Sequence, residues 1–169
     1  MSRDETTIRR VRTEDAGRAR ALRLEMLADT PLAFLTTLAE AAAKPHDEFV
    51  GRITRAAAGT QIGHFVAVSG KQLVGQVIAV ESPTDDDITM LFAVYVSPSH
   101  RGSGVLVGLV EAAAAWSREC GRNRLELEVV STNARATRAY QKIGFQALGD
   151  PIPHPTILTL TEQVMGRVA

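Results

Sequence analysis

The chain has 169 residues, a length suited to one domain with a single sizeable core. Its 19 basic and 19 acidic side chains cancel, which argues against a surface built for nucleic acid or for a membrane. A lone cysteine, Cys120, excludes an intrachain disulfide framework and suits a reducing cytoplasm; residues 1–5 open no apolar leader, and no apolar run approaches membrane-spanning length.

Residues 8–12 alternate weakly and read as a first strand. Thr13 can cap a following helix whose first turn holds Glu14 and Asp15, the sign of charge favoured at that end. Ala19, Leu22, Arg23, Met26 and Leu27 form a mostly apolar stripe at helical spacing, which Asp29-Thr30-Pro31 should end. Residues 31–43 read as a short helix or a packed loop, with Phe34 either a core residue or a pocket wall. A second helix is expected over 45–58, with Pro45 in its first turn and Gly59 as its stop. Residues 64–69 and 73–81 read as strands joined by a tight turn at Gly70-Lys71, and Gly75 marks a bulge or a close approach. The acidic stretch 82–87 reads as a solvated turn. Residues 88–96 are apolar on both faces and form the expected central strand.

That strand ends at Ser97-Pro98 and runs into Arg101-Gly102-Ser103-Gly104, followed by an Ala/Leu/Val-rich helix over 104–120 closed by Gly121. A strand, a glycine-rich loop and a helix N-terminus together present unsatisfied backbone N–H groups, partial positive charge and one arginine. Such an arrangement suits a phosphate or pyrophosphate, though an ordinary strand–helix turn has the same outline. Residues 125–130 form the next strand, expected parallel to the central one because a helix crosses between them. Its alternation puts Leu125, Leu127 and Val129 on one face and Glu126, Glu128 and Val130 on the other. Two carboxylates on one face of an interior strand need a reason: a general base in a cleft, or an ion pair with Arg135 or Arg138. Asn133 can cap a helix over 134–143 that Gly144 stops. Phe145 begins the return, 150–156 is a Pro-rich loop, and 157–165 reads as a final strand. His64, His100 and His154 show no metal-ligand spacing, and Cys120 has no histidine placed to activate it, so no metal and no acyl-cysteine are expected.

Two stretches carry a family resemblance. The loop Arg101-Gly102-Ser103-Gly104 after Val94-Tyr95-Val96, and the later run from Leu125 through Asn133-Ala134-Arg135-Ala136 to Tyr140-Gln141-Lys142-Ile143-Gly144-Phe145, together resemble the GNAT superfamily of acetyl-CoA-dependent N-acetyltransferases. The resemblance covers residues 64–146 and, more loosely, the N-terminal third. It implies one α/β (α+β) domain over 1–169, with a mostly antiparallel mixed sheet, helices on both faces and one parallel β-α-β crossover. It implies that Val94, Tyr95 and Val96 pair with the pantetheine arm and that the amides of Arg101, Gly102, Ser103, Gly104, Val105 and Leu106 face the pyrophosphate. Leu106 stands where the family has Gly or Ala, so its side chain either turns into the core or crowds the phosphates. Asn133 matches the family's cofactor-contacting Asn, and Tyr140 the tyrosine beside the CoA sulfur, a candidate acid. Glu128 matches the base of the relatives that acetylate ribosomal-protein N-termini. The implied reaction is direct acetyl transfer in a ternary complex to a primary amine, on a small molecule or a peptide N-terminus. The rival expectation is a GNAT-fold module that binds acetyl-CoA without transfer. The family also admits a homodimer.

Overall fold

The computed structural model describes residues 5–169; residues 1–4, most of the stretch read above for a leader, lie outside the described residues. In chain order the elements are β1 (Thr7–Arg10), α1 (Ala16–Asp29), α2 (Leu38–Ala43), α3 (His46–Ala56), β2 (Ile62–Ser69), β3 (Gln72–Glu81), β4 (Ile88–Val96), α4 (Val105–Glu119), β5 (Arg124–Val130), α5 (Ala134–Lys142), β6 (Gln146–Ala147), β7 (Ile152–Pro153) and β8 (Thr161–Val168). They build one sheet in the order β1-β2-β3-β4-β5-β8-β6, with β7 also on β8. Neighbours run antiparallel except β4 and β5, which are parallel and joined through α4. This is the mixed, mostly antiparallel sheet with one crossover that the sequence led us to expect.

Helices cover both faces. Against α4 the sheet buries Leu109, Val110, Leu125, Leu127, Phe145 and Met165. Against α1 and α3 it buries Leu22, Met26, Phe49, Ile53, Val66 and Tyr95. Each such side chain contributes roughly 1.5–3 kcal/mol when fully buried. Gly75 is a close-approach glycine: a Cβ there would lie 3.0 Å from Leu109 and 3.1 Å from the Tyr95 carbonyl oxygen, so α4 could not sit this near the sheet over any other residue.

Two local expectations are corrected, and the alternative left open over 31–43 resolves in favour of a short helix. Thr13 does not cap α1. A 3-10 turn, Thr13–Asp15, precedes that helix. The organising group is Asp15, whose carboxylate accepts the Arg12 amide at 2.8 Å and Arg9 at 2.7 and 3.0 Å, and also pairs with Arg18. The 31–43 stretch resolves into a 3-10 turn and α2, which opens with a reciprocal cap. The Thr37 hydroxyl accepts the Glu40 amide at 3.2 Å, and the Glu40 carboxylate accepts the Thr37 amide at 2.8 Å. The last strand begins four residues later than 157 and runs to Val168. His154 Nδ1 accepts the amides of Thr156 and Ile157, turning that segment outward and leaving Leu158 99% exposed.

Two features of β4 position the site. Its pairing with β5 ends at Leu91 opposite Leu127, so from Phe92 onward the two strands part. On its other edge the register with β3 shifts between Ile78–Phe92 and Gln76–Tyr95, a β-bulge. Ala93 sits in this bulge at φ 49°, the one positive-φ non-glycine residue among those described. Gln76 holds it. Its amide nitrogen donates to the Ala93 carbonyl at 3.2 Å, and its amide oxygen accepts from His64 Nε2 at 3.1 Å.

Candidate active site

The parting of β4 and β5 opens a cleft of about 760 Å³, lined from one end to the other by residues of α1, β4, the 101–107 loop, β5, α5 and β8. It brings together most of the residues that the sequence singled out.

At the α4 end, Gly102 and Gly104 adopt φ 72° and 87°, which turns the loop so that Gly104 caps the helix. Among the described residues, the amides of residues 102–107 donate to no backbone acceptor outside the helix. They are the orphan donors of a 15-residue helix, and they suit a pyrophosphate. The Arg101 side chain is engaged elsewhere. Its Nε donates to the Val96 carbonyl at 2.9 Å, its guanidinium pairs with Asp29, and it lies 5.6 Å over the Tyr95 ring. Arg101 therefore ties the loop to β4 and to the end of α1. Tyr95 is buried, with its hydroxyl donating to Glu25 at 3.1 Å and Asp29 at 3.2 Å. Arg101 occupies the Val96 carbonyl and Tyr95 is paired with Gln76 of β3, so what this stretch leaves open to the cleft toward β5 is the rest of the Val94 and Val96 backbone edge. Leu106 is partly buried and packs against the α4 core, which leaves its amide accessible. Ser103 bonds the His100 carbonyl and stiffens the turn.

The α5 wall supplies Asn133, whose side chain accepts the Ala136 amide at 3.1 Å as a helix cap while lining the cleft. Tyr140, two turns on, is buried edge-to-face against Phe145 at 5.8 Å. Its ring belongs to the core; it also lines the cleft, and its hydroxyl has no protein partner among the described residues. Burial pushes its phenol well above the usual range, so it stays protonated at any ordinary pH.

Glu128 occupies the opposite wall, on the face away from Leu127, as strand alternation requires. No ion pair with Arg135 or Arg138 forms. Its neighbour is Glu162 of β8, whose register partner Val130 places it diagonally across from Glu128 on the same face. Burial, and then the Glu162 carboxylate beside it, raise the Glu128 carboxyl above the ordinary carboxylate value. His154 Nε2 faces Glu162 at 3.7 Å, and the two amides on Nδ1 fix the ring with its proton on Nε2. Sequence reasoning missed Glu162 and His154 as site residues; the available signal was Glu162 alternating onto the same face as Leu160 and Val164 within the stretch read as the last strand. His64 lies in the bulge network rather than the cleft. Cys120 is partly buried at the end of α4, away from the cleft. Among the described residues no His, Cys, Asp or Glu cluster could hold a metal ion.

The chain belongs to the GNAT acetyltransferase family, whose sequence profile matches residues 25–145. It is 35% identical over 94 residues to N-acetyltransferase 8B of Rattus norvegicus, covering 54% of this chain and 42% of that protein. It is also 35% identical over 85 residues to streptothricin acetyltransferase of Streptomyces lavendulae, covering 50% and 45%. The aligned regions thus span under half the length of these curated relatives. In fold it is similar to yncA of Salmonella typhimurium, solved with its cofactor acetyl-CoA, at a TM-score of 0.78 and 18% identity over 97% of this chain and 94% of that one. Among the described residues, no helix is long and apolar enough to cross a membrane.

Proposed function

We propose that this chain is a single-domain N-acetyltransferase that moves the acetyl group of acetyl-CoA directly to a primary amine. The observation that carries the reading is the parting of β4 and β5 with Tyr140 and Glu128 lining the same gap. Acetyl-CoA fits what the chain offers. The free amides of residues 102–107 match a pyrophosphate, and the unpaired edge of Val94–Val96 matches the amides of a pantetheine arm. When bound, it supplies an activated thioester.

The residues then divide the work. An amine of lysine type is mostly protonated at neutral pH, with a pKa of about 10.4, so a proton must leave before the nitrogen can attack. Glu128 takes it, directly or through water, and its raised affinity for protons makes it a better acceptor than an ordinary carboxylate. Glu162 sustains that affinity, and His154 stands behind Glu162 at 3.7 Å. As the C–N bond forms and the C–S bond breaks, the second amine proton passes to the departing thiolate by way of the Tyr140 hydroxyl, which donates to sulfur as it is reprotonated from the nitrogen side and so ends neutral. With Cys120 outside the cleft, no cysteine is placed to carry the acetyl group, and transfer occurs in a ternary complex. Leu106 packs against the core while also lining the cleft, so the rival reading, a holder of acetyl-CoA that performs no transfer, is decided by turnover rather than by that residue.

The test is calorimetric titration with acetyl-CoA and with an acetylated pantetheine fragment lacking the 3′-phospho-ADP portion, followed by CoA release across small amines and peptide N-termini. Binding that weakens strongly for the fragment, with turnover of at least one amine, is the expected result. Equal binding of both ligands would remove the pyrophosphate role of the loop, and binding without any turnover would remove the transferase reading.

A further inference from the structure

The acceptor half of the cleft carries charge that the transfer chemistry does not use. A transverse row of the sheet runs His64, Ile78, Phe92 by direct pairing, and Glu128 stands one strand further on. All four face α1 and α3, the side opposite Leu91 and Leu127. Phe92 is 48% exposed and forms the floor, with Phe34 and Leu35 as a wall. Arg23 of α1 and Arg52 of α3 both line the cleft, and both lie near enough to His64, at the end of this row away from Glu128, to disfavour its charged form. Three usual strand spacings come to roughly 14 Å, and the parting of β4 and β5 widens the last of them, so the row separates the proton-accepting end from the cationic end by at least about that distance.

Neither arginine makes an ion pair or a side-chain hydrogen bond among the described residues, and Arg52 only lies 5.7 Å over the Phe49 ring. The nearby acids are taken: Asp15 by Arg9 and Arg18, Asp29 by Arg101 and Tyr95, and Glu25 by Tyr95. Arg23 is partly buried, and its charged form is disfavoured first by that burial and then by Arg52. Arg52 is exposed at the cleft mouth, so it is the partly buried Arg23, with a second guanidinium nearby and no counter-ion, that raises the free energy of the empty protein, and an oxyanion held by both relieves it.

Resting on the transferase reading, we propose that Arg23 and Arg52 form an anion subsite, so that the acceptor is an amine that also carries a carboxylate or phosphate group. Its amine meets Glu128 and Glu162, its anion meets the two arginines, and its connecting atoms cross the apolar floor of Phe92. The arginines of α5, Arg135 and Arg138, line the same cleft from the Asn133 side and are assigned to the cofactor half.

The experiment compares kcat/KM, read by CoA release, for a homologous series of ω-amino acids, the aminoalkyl phosphates and the alkylamines of matched length, with wild type and with Arg52→Gln and Arg23→Gln. Charge-assisted hydrogen bonds of this kind should favour one anionic series over the alkylamines by about 10- to 100-fold. Whichever series leads tells carboxylate from phosphate. In either variant the ratio of anionic to neutral acceptor should collapse toward one. Turnover of alkylamines at rates equal to or above both anionic series overturns the subsite and leaves the transferase standing. A ratio unchanged in both variants overturns it as well. Absence of turnover over the whole panel, in protein that binds acetyl-CoA, overturns the transferase reading and the subsite together. A readout independent of turnover is calorimetry with the N-acetylated ω-amino acid in the presence of CoA, where Arg52→Gln should weaken binding and an unaltered affinity counts against the proposal.

Discussion

Replacing His64 with glutamine tests the network that shapes β4. His64 is 4% exposed, and its ring faces Gln76, the residue that holds the bulged Ala93 carbonyl. Burial lowers its pKa from 6.5 to about 4; the Gln76 bond opposes this, Arg52 lowers it further, Asp15 opposes and Arg23 lowers. The folded protein therefore holds the ring neutral while the unfolded chain protonates it below about pH 6.5. The unfolded state binds more protons in that window, so stability falls as pH falls, from the unfolded value down to the folded one. Worked through, this site removes about 1.2 kcal/mol between about pH 7 and pH 5.5, and about 3 kcal/mol by the time both states are protonated. The upper half of the window lies above the range where carboxylates titrate, which isolates the histidines. His64→Gln keeps a donor toward Gln76 and cannot titrate. Urea midpoints at half-unit pH steps should show wild type losing stability between pH 7 and 5.5 and the variant losing about 1 kcal/mol less. Parallel curves for the two proteins would mean that His64 does not stay neutral in the fold, and the bulge network would have to be redrawn.

Glu128→Gln should cut kcat by about 10²- to 10⁴-fold with acetyl-CoA affinity retained, and Tyr140→Phe should lower kcat more than it raises the KM for acetyl-CoA; steady-state kinetics beside calorimetry read both. The same Glu128→Gln change should raise the melting temperature slightly at pH 7, because a carboxyl with raised proton affinity costs stability above its unfolded value, and the gain should vanish near pH 4. Asp15→Asn should destabilise by about 3–5 kcal/mol in urea at neutral pH, since it leaves Arg9 and Arg18 without their buried partner. The Arg9 bond holds that carboxyl far below its usual range, so its contribution is present above about pH 4 and is lost as pH falls further; the variant's acid limb should be correspondingly flatter. Ala93→Gly should be neutral or stabilising by up to about 1 kcal/mol, because only glycine adopts φ near 49° without Cβ strain; a clear destabilisation would show that the Ala93 methyl packs more than the strain costs.

How much of this was legible in the sequence depended on whether the determining contacts are local. Strand β4 was readable to the residue, because an uninterrupted apolar run is bounded by Asp86-Asp87 on one side and Ser97-Pro98 on the other. The Asn133 cap and the glycines that start and stop α4 were readable for the same reason: each acts within a few residues of itself. Thr13 misled because its rival, Asp15, is selected by Arg9 on the neighbouring strand, a contact that helix-cap patterns do not contain. The start of β8 misled because a histidine side chain, His154, captures the amides that would otherwise extend the strand. Thr37 and Glu40 did carry the spacing of a reciprocal cap, and the short helix behind them was legible in principle.

The site shows the same division one level up. Its loop amides, Asn133 and Tyr140 lie at the starts of two consecutive strand–loop–helix units and announce themselves by spacing. The proposed acid–base wall does not, because Glu128 obtains its raised proton affinity from burial in the folded cleft and then from Glu162, thirty-four positions away and brought alongside only by the β5–β8 register. The anion subsite is further from legibility still, since Arg23 and Arg52 sit on helices that no sequence pattern ties together. What joins these parts is the loss of β4–β5 pairing beyond Leu91. A strand edge left bare inside a sheet costs backbone hydrogen bonds, and it persists here because the Gln76-held bulge bends β4 and Arg101 occupies the Val96 carbonyl. The chain thus maintains an opening with a strand-like edge on one side, orphan amides at one end and uncompensated cations at the other. Each of those deficits names the ligand group that would satisfy it.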